Sequence, residues 1–249
     1  MKLATIICYC SSDERFARAC LKEASKVSNE IIIPIGSHLF NGVPEKIDTI
    51  ESLKKEFNLI KFAYFDWEDK YSPRYWHNIS RIAASDLISK DIDWVLFLDI
   101  DEILDVELFN KFLSKWDFEN YDSYKLACAW YFREPVYKAK NLEDSIVLVR
   151  KNLININPHN EYAEREQMHE MLNVPKKRMV TVNNKPIVHH FSWVRTQKEM
   201  LYKVNNWGHK SDKDWISLVN EEFSRPFNGK CFVNDYEFET VKDQFNLEI

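Results

Sequence analysis

The sequence predicts an α/β protein with a mostly parallel central sheet flanked by helices, and three observations carry that prediction. Within the first hundred residues, four apolar, β-branched runs alternate with three stretches of helical periodicity. The fourth run, Trp94-Val95-Leu96-Phe97-Leu98, is apolar without interruption, as a strand buried on both faces must be. Strands joined through helices lie parallel and wind right-handed. Beyond residue 105 the alternation becomes irregular, which predicts a second, mixed half of the same domain, 1–105 and 106–249.

The elements follow in order. Leu3–Tyr9 reads as a strand that stops at Ser11-Ser12-Asp13, a helix N-cap signal. Asp13–Val27 then places Phe16, Ala19, Cys20, Ala24 and Val27 at helical spacing. Glu30–Ile35 is a second strand, closed by Pro34 and Gly36; Lys46–Phe57 is a helix, and Leu59–Phe65 a third strand. Pro73 opens a helix through Ser89, and Asp93–Leu98 is the fourth strand. In the second half, Val106–Ser114 reads as a short helix, Ser123–Phe132 and Ser145–Val149 as strands, and 151–180 as loops. Ile187–Trp193 is a strand, followed by helices over Thr196–Trp207 and Asp214–Phe223.

Composition narrows the function. The net charge is −5, so no bulk cationic field exists to hold nucleic acid. Four glycines, Gly36, Gly42, Gly208 and Gly229, cannot spell a GxGxxG or Walker-type phosphate loop. No apolar run approaches the roughly 20 residues a bilayer requires, and the apolar run at the start is too short for a signal peptide. Five scattered cysteines argue against a disulfide framework, and the expected compartment is reducing and cytoplasmic.

Ligands of such sheets sit beyond the carboxyl ends of the strands. The segments that follow the strands therefore matter: Ser11-Ser12-Asp13, Asp66-Trp67-Glu68-Asp69 and Asp99-Ile100-Asp101-Glu102. In the last of these a buried strand runs into three carboxylates within four residues. Alternation along an extended backbone predicts Asp99 and Asp101 on one side. Two such carboxylates repel unless a cation or proton lies between them. Hard oxygen ligands of this kind suit Mg²⁺ or Mn²⁺. A later strand carries adjacent histidines, His189 and His190, on opposite faces, and Arg195 and Lys203 place positive charge behind them.

With these residues in view, the chain resembles the GT-A-fold glycosyltransferases of the family 2-like kind. The resemblance rests on the β-α-β start, on Asp99-Ile100-Asp101-Glu102 at a strand end, and on His190-Phe191-Ser192-Trp193-Val194-Arg195 with Lys203; residues 106–184 lie outside it. It implies a metal-dependent, inverting transfer of a sugar from a UDP-, GDP- or TDP-linked donor to a hydroxyl on a glycan, lipid-linked sugar or protein. In residue terms it implies Asp99 and Asp101 as metal or ribose contacts, His190 as a further metal ligand, and Arg195 and Lys203 at the diphosphate. Ser11, Asp13, Arg15, Asp66 and Arg81 are expected near the donor. An acceptor hydroxyl needs a general base, for which Glu170, Glu166 and Asp144 are the candidates, Glu170 first. Trp67, Trp76, Trp130 and Trp193 are aromatics near strand ends where an acceptor would lie. Two rival readings remain: a haloacid-dehalogenase-like phosphohydrolase using the same carboxylates, and a carbohydrate-binding module without turnover. The first fits poorly, because its nucleophilic Asp belongs near the chain start.

Overall fold

The computed structural model describes residues 1–39, 42–57, 60–207 and 212–247. The first half alternates as expected: β1 (Leu3–Cys8), α1 (Glu14–Ala24), β2 (Glu30–Gly36), α2 (Ile47–Glu56), β3 (Lys61–Phe65), α3 (Pro73–Ser85) and β4 (Trp94–Asp99). A single 3₁₀ turn, Ser11–Asp13, links β1 to α1. Leu59, the expected start of the third strand, lies outside the described residues. The second half comprises β5 (Glu102–Leu104), α4 (Val106–Lys115), β6 (Ser123–Phe132), β7 (Glu134–Arg150), α5 (Glu164–Gln167), β8 (Lys176–Val180), β9 (Val188–Trp193), α6 (Gln197–Asn206), α7 (Trp215–Phe223) and β10 (Phe238–Thr240).

One sheet runs in the order β3-β2-β1-β4-β7-β6-β9-β5, with β8 beside β6 and β10 beside β7. The β3-β2-β1-β4 half is wholly parallel; β7 enters antiparallel to both β4 and β6, and β9 returns parallel to β6. Alternation along β4 sends Trp94, Leu96 and Leu98 into the core beneath α1, α2 and α4, and Val95 and Phe97 into the core beneath α3. A third apolar cluster, built from Trp130, Phe132, Trp193, Val204 and Trp215, fastens α6 and α7 to the sheet. Trp130 and Trp193 are therefore core residues, 3% exposed each, and not acceptor contacts.

Three expectations are corrected. β7 begins eleven residues before the predicted Ser145, because Glu134–Asp144, mostly half-buried, pairs with β6 through its backbone while its side chains lack a continuous apolar signal. The 151–180 segment contains α5 and β8 as well as loops. Asp99 and Asp101 do not lie on one extended strand: β4 ends at Asp99, and Ile100-Asp101 turns the chain into β5.

Candidate active site at the carboxyl edge of the sheet

The Asp99–Glu102 turn is pinned at every step. The Asp99 N–H donates to Glu102 Oε2 at 2.7 Å, the Ile100 N–H to the Cys8 carbonyl at 2.9 Å, and the Phe191 N–H to the Asp101 carbonyl at 2.9 Å. β1, β4, β5 and β9 thus converge on four residues, and the antiparallel β5–β9 pair sets Glu102 opposite His190.

The two aspartates then part. Asp99 has the same parity as Val95 and Phe97, so its side chain leaves toward α3, where Arg81 is buried. The Arg81 guanidinium donates to Asp99, to the Leu98 carbonyl at 2.7 Å and to Glu164 at 3.0 Å. Arg165 completes the group, forking onto Glu102 at 2.9 and 2.7 Å and lying 3.3 Å from Asp99. Burial alone would raise the Asp99 carboxyl; the Arg165 and Arg81 guanidiniums instead hold it well below the usual carboxylate range. Asp99 reaches the cavity wall, but its charge is already matched.

Asp101 is in the opposite situation. It is 4% exposed, and its Oδ1 accepts no hydrogen bond. Its cationic neighbours are at a distance: His190 Nε2 at 3.6 Å from Oδ1 and Lys203 Nζ at 3.9 Å from Oδ2. Burial raises the Asp101 carboxyl; the attraction of His190 and Lys203 offsets this only in part, and Asp99 and Glu102 add a smaller repulsion. A buried carboxylate oxygen left this way is costly unless a further positive group meets it. Burial, helped by neighbouring Arg195, lowers Lys203 to about 8.

These groups line a cavity of about 310 Å³: Asp13, Asp99, Asp101, His190 and Lys203, together with Cys8 and Cys10. The far end is aromatic and apolar, with Phe65, Trp67, Trp76 and Leu39. Gly42, at φ 83°, brings its loop against Trp67; a Cβ there would lie 2.8 Å from the indole.

The expected site residues divide accordingly. Asp13, Asp99, Asp101, His190 and Lys203 meet at the cavity. His189, by contrast, points into the core, bonded through Nδ1 to the Tyr131 hydroxyl at 2.8 Å. Arg195 does not line the cavity: its guanidinium is buried against the Ser192 and Ser12 carbonyls, both at 2.8 Å, and ion-pairs with Asp13, tying β9 to the turn after β1. Arg81 is the buried partner described above. Ser11 is buried off the cavity, donating its N–H to Glu45, Arg15 pairs with Glu199, and Asp66 is exposed beside the lining residue Trp67. The expected bases lie elsewhere: Glu170 pairs with Lys125 and Arg178, at 3.0 and 3.2 Å, and Asp144 with Arg178 at 2.8 Å, while Glu166 also lines no part of the cavity. Arg165, which holds the Asp99–Glu102 turn, was not signalled by any local motif.

Among the described residues, no group of three His, Cys, Asp or Glu side chains is arranged to hold a metal ion. Asp101 and His190 nevertheless suit a divalent ion as a two-ligand set: the unsatisfied Oδ1 faces the imidazole across a gap, and Mg²⁺ commonly takes one or two carboxylates and completes its shell with substrate phosphate oxygens. All five cysteines are free, and no described helix is long and apolar enough to cross a membrane.

No protein-family model and no curated protein sequence matches this chain. Solved structures do. TarS from S. aureus superposes with a TM-score of 0.50 at 14% identity, over 90% of this chain and 72% of that one. A mannosyltransferase from Pyrobaculum calidifontis, solved in complex with GDP-Man and Mn²⁺, superposes with a TM-score of 0.51 at 6% identity, over 82% of this chain and 60% of that one. At these identities the likeness is one of architecture, and the fold is α/β of the GT-A type.

Proposed function

We propose that the chain is a divalent-metal-dependent glycosyltransferase that moves a sugar from a nucleoside-diphosphate donor to a hydroxyl acceptor with inversion. One observation carries the reading: the buried, unpartnered Asp101 Oδ1 facing His190 at the polar end of a cavity whose other end is aromatic. The polar end suits a metal-bound diphosphate and the aromatic end a nucleobase. The mannosyltransferase solved with GDP-Man and Mn²⁺ supports it from the side of the fold.

In this reading Asp101 and His190 hold the ion, which when bound supplies positive charge to the diphosphate oxygens. Lys203 adds a second cation beside the leaving group, where a desolvated charge counts for more than it would in water. Asp99 does not ligate the ion; it anchors the turn that presents Asp101. Asp13, held by Arg195, shapes the wall after β1. The acceptor proton is assigned neither to Glu170 nor to Asp144, since both are committed to Arg178 away from the cavity.

Thermal shift with UDP, GDP, TDP and CTP, each with and without Mn²⁺, tests the proposal. Ligand at a hundredfold over its Kd stabilises by about 2.7 kcal/mol, or roughly 5–11 °C for a chain of this size. One nucleoside diphosphate should give such a shift only with metal present, and Asp101→Asn should abolish it. A shift from CTP alone, from free sugar alone, or from metal irrespective of the nucleoside would refute the reading.

A further inference from the structure

The aromatic part of the cavity wall carries polar groups that the fold leaves unmet. His38, Phe65, Trp67 and Trp76 all line the cavity and pack against one another. Phe65 and Trp76 have ring centroids 6.2 Å apart and planes 15° from parallel; Trp76 and Trp67 are 6.4 Å apart, and Trp67 and His38 5.5 Å. Trp76 is 5% exposed. The indole Nε1 atoms of Trp67 and Trp76 are both buried, and neither N–H has an acceptor. An indole N–H can only donate, and a buried donor left without an acceptor loses its water with no return.

The same stretch of wall holds an acceptor. Glu45 and Trp67 are both tied by their backbones to Ser37: the Glu45 N–H donates to the Ser37 carbonyl at 3.0 Å and the Trp67 N–H to the Ser37 hydroxyl at 3.1 Å. Glu45 also lines the cavity, and its side chain is fixed through Oε1, which accepts from the Ser11 and Lys46 N–H groups at 3.2 and 3.1 Å. Its Oε2 receives no hydrogen bond from any described residue. The wall therefore offers a ligand two donors, which are indole N–H groups, and one acceptor, a carboxylate oxygen, among rings that suit a flat aromatic group.

We infer that this wall reads the base of the donor and selects a pyrimidinedione, uracil or thymine, over the other bases. The inference rests on the glycosyltransferase reading and narrows its donor to a uridine or thymidine diphosphate. Selection follows from the chemistry of the base edge. A pyrimidinedione presents a carbonyl, the N3–H and a second carbonyl in turn, so two N–H donors and one carboxylate oxygen satisfy it completely. Guanine offers one carbonyl beside two donors, N1–H and the N2 amino group, and leaves an indole N–H unmet on that edge. Cytosine turns the lone pair of N3 where the carboxylate needs a donor, and adenine has no carbonyl. A site with buried polar groups rejects a ligand that leaves them unpaired.

Isothermal titration calorimetry on the full chain with Mn²⁺ and UDP, TDP, CDP, GDP or ADP tests this. The better of UDP and TDP should bind at least about tenfold more tightly than CDP, GDP and ADP, and N3-methylation of that nucleotide, which removes the donor Glu45 meets, should cost at least about tenfold. Trp67→Phe and Trp76→Phe each keep a ring and delete one N–H, and each should lower the preference over GDP at least about threefold. The preference is a ratio within one protein, so partial loss of folded chain does not move it, and Trp67→Phe reads the point even if the more buried Trp76→Phe fails to fold. CDP, GDP or ADP binding as tightly as UDP and TDP, or a preference unchanged in the folded tryptophan variants, would overturn the inference while leaving the metal-dependent donor reading in place. No binding by any of the five nucleotides with Mn²⁺ would refute the donor reading and this inference with it.

Discussion

Arg165→Met should be among the most damaging single substitutions outside the apolar core. Its guanidinium forks onto Glu102, whose side chain is 1% exposed, at 2.9 and 2.7 Å, and also faces Asp99 and Glu164 at 3.3 and 3.6 Å. Without Arg165, Glu102 keeps one donor, the Asp99 N–H, and no cation. Removing one partner of a buried pair costs about 3–5 kcal/mol, and for a chain of this length each kcal/mol corresponds to about 2–4 °C in Tm. The expected fall is therefore about 6–20 °C, measured by calorimetry or denaturant titration at neutral pH. Arg178→Met is the matched control: that arginine also joins two carboxylates, but at 56% exposure its loss should stay within about 1 kcal/mol. Arg165→Met/Glu102→Met, which removes both charges, should recover at least half of the loss. A fall of under about 1 kcal/mol for the single variant would mean that the network does not hold the turn.

Three further outcomes follow from the same geometry. His190→Ala should weaken manganese dependence in parallel metal titrations far more than His189→Ala, whose ring bonds to Tyr131 and faces the core; equal effects would contradict the assignment. Burial lowers His169 to about 4 from 6.5. The unfolded chain therefore takes up a proton near 6.5 that the native chain refuses until about 4, so stability falls as pH drops through that window, by up to about 3 kcal/mol. His169→Asn should flatten that stretch of the pH–stability curve, and an unchanged slope would refute the assignment. Gly42→Ala places a methyl 2.8 Å from the Trp67 ring at a φ of 83°, and should cost at least about 1 kcal/mol and shift the tryptophan emission; a neutral variant would show that the loop has room.

The first half of the fold was legible because its physics is local. β1, β2 and β4 are short β-branched or wholly apolar runs, and Ser72-Pro73 caps α3 as its residue types imply. Thr196 with Glu199 closes a capping box at the start of α6. The second half hid where stability comes from distant partners. Glu134–Asp144 reads as a polar loop yet forms strand, because backbone pairing with β6 and β10 needs no apolar side chains. The four residues of α5, Glu-Arg-Glu-Gln, carry no apolar periodicity; two of them are buried because Arg81 and Asn78 await them across the fold.

The site divides in the same way. Asp101, His190 and Lys203 announced themselves by residue type at a strand end and in the motif that follows. Asp99 was expected to contact the ion or the ribose; it lines the cavity beside Asp101, past the turn at Ile100-Asp101, with its charge met by Arg81 and Arg165. Arg195, expected at the diphosphate, is a buried strut, because Asp13 and the Ser12 and Ser192 carbonyls occupy its guanidinium. The first departs from an extended backbone within two residues of Asp99, at a turn whose side-chain partners Arg81 and Arg165 lie on other elements. The second depends on the Ser12 carbonyl and on Asp13, at the other end of the chain.

The account turns on a divalent ion shared by Asp101, His190 and a diphosphate. The most direct measurement is an anomalous difference map at the manganese edge from crystals grown with Mn²⁺ and the nucleoside diphosphate that gives the largest thermal shift. The account predicts one strong peak within coordination distance of Asp101 and His190, with none on Asp99. A peak on other residues, or nucleotide density in the cavity with no ion beside Asp101, would contradict it.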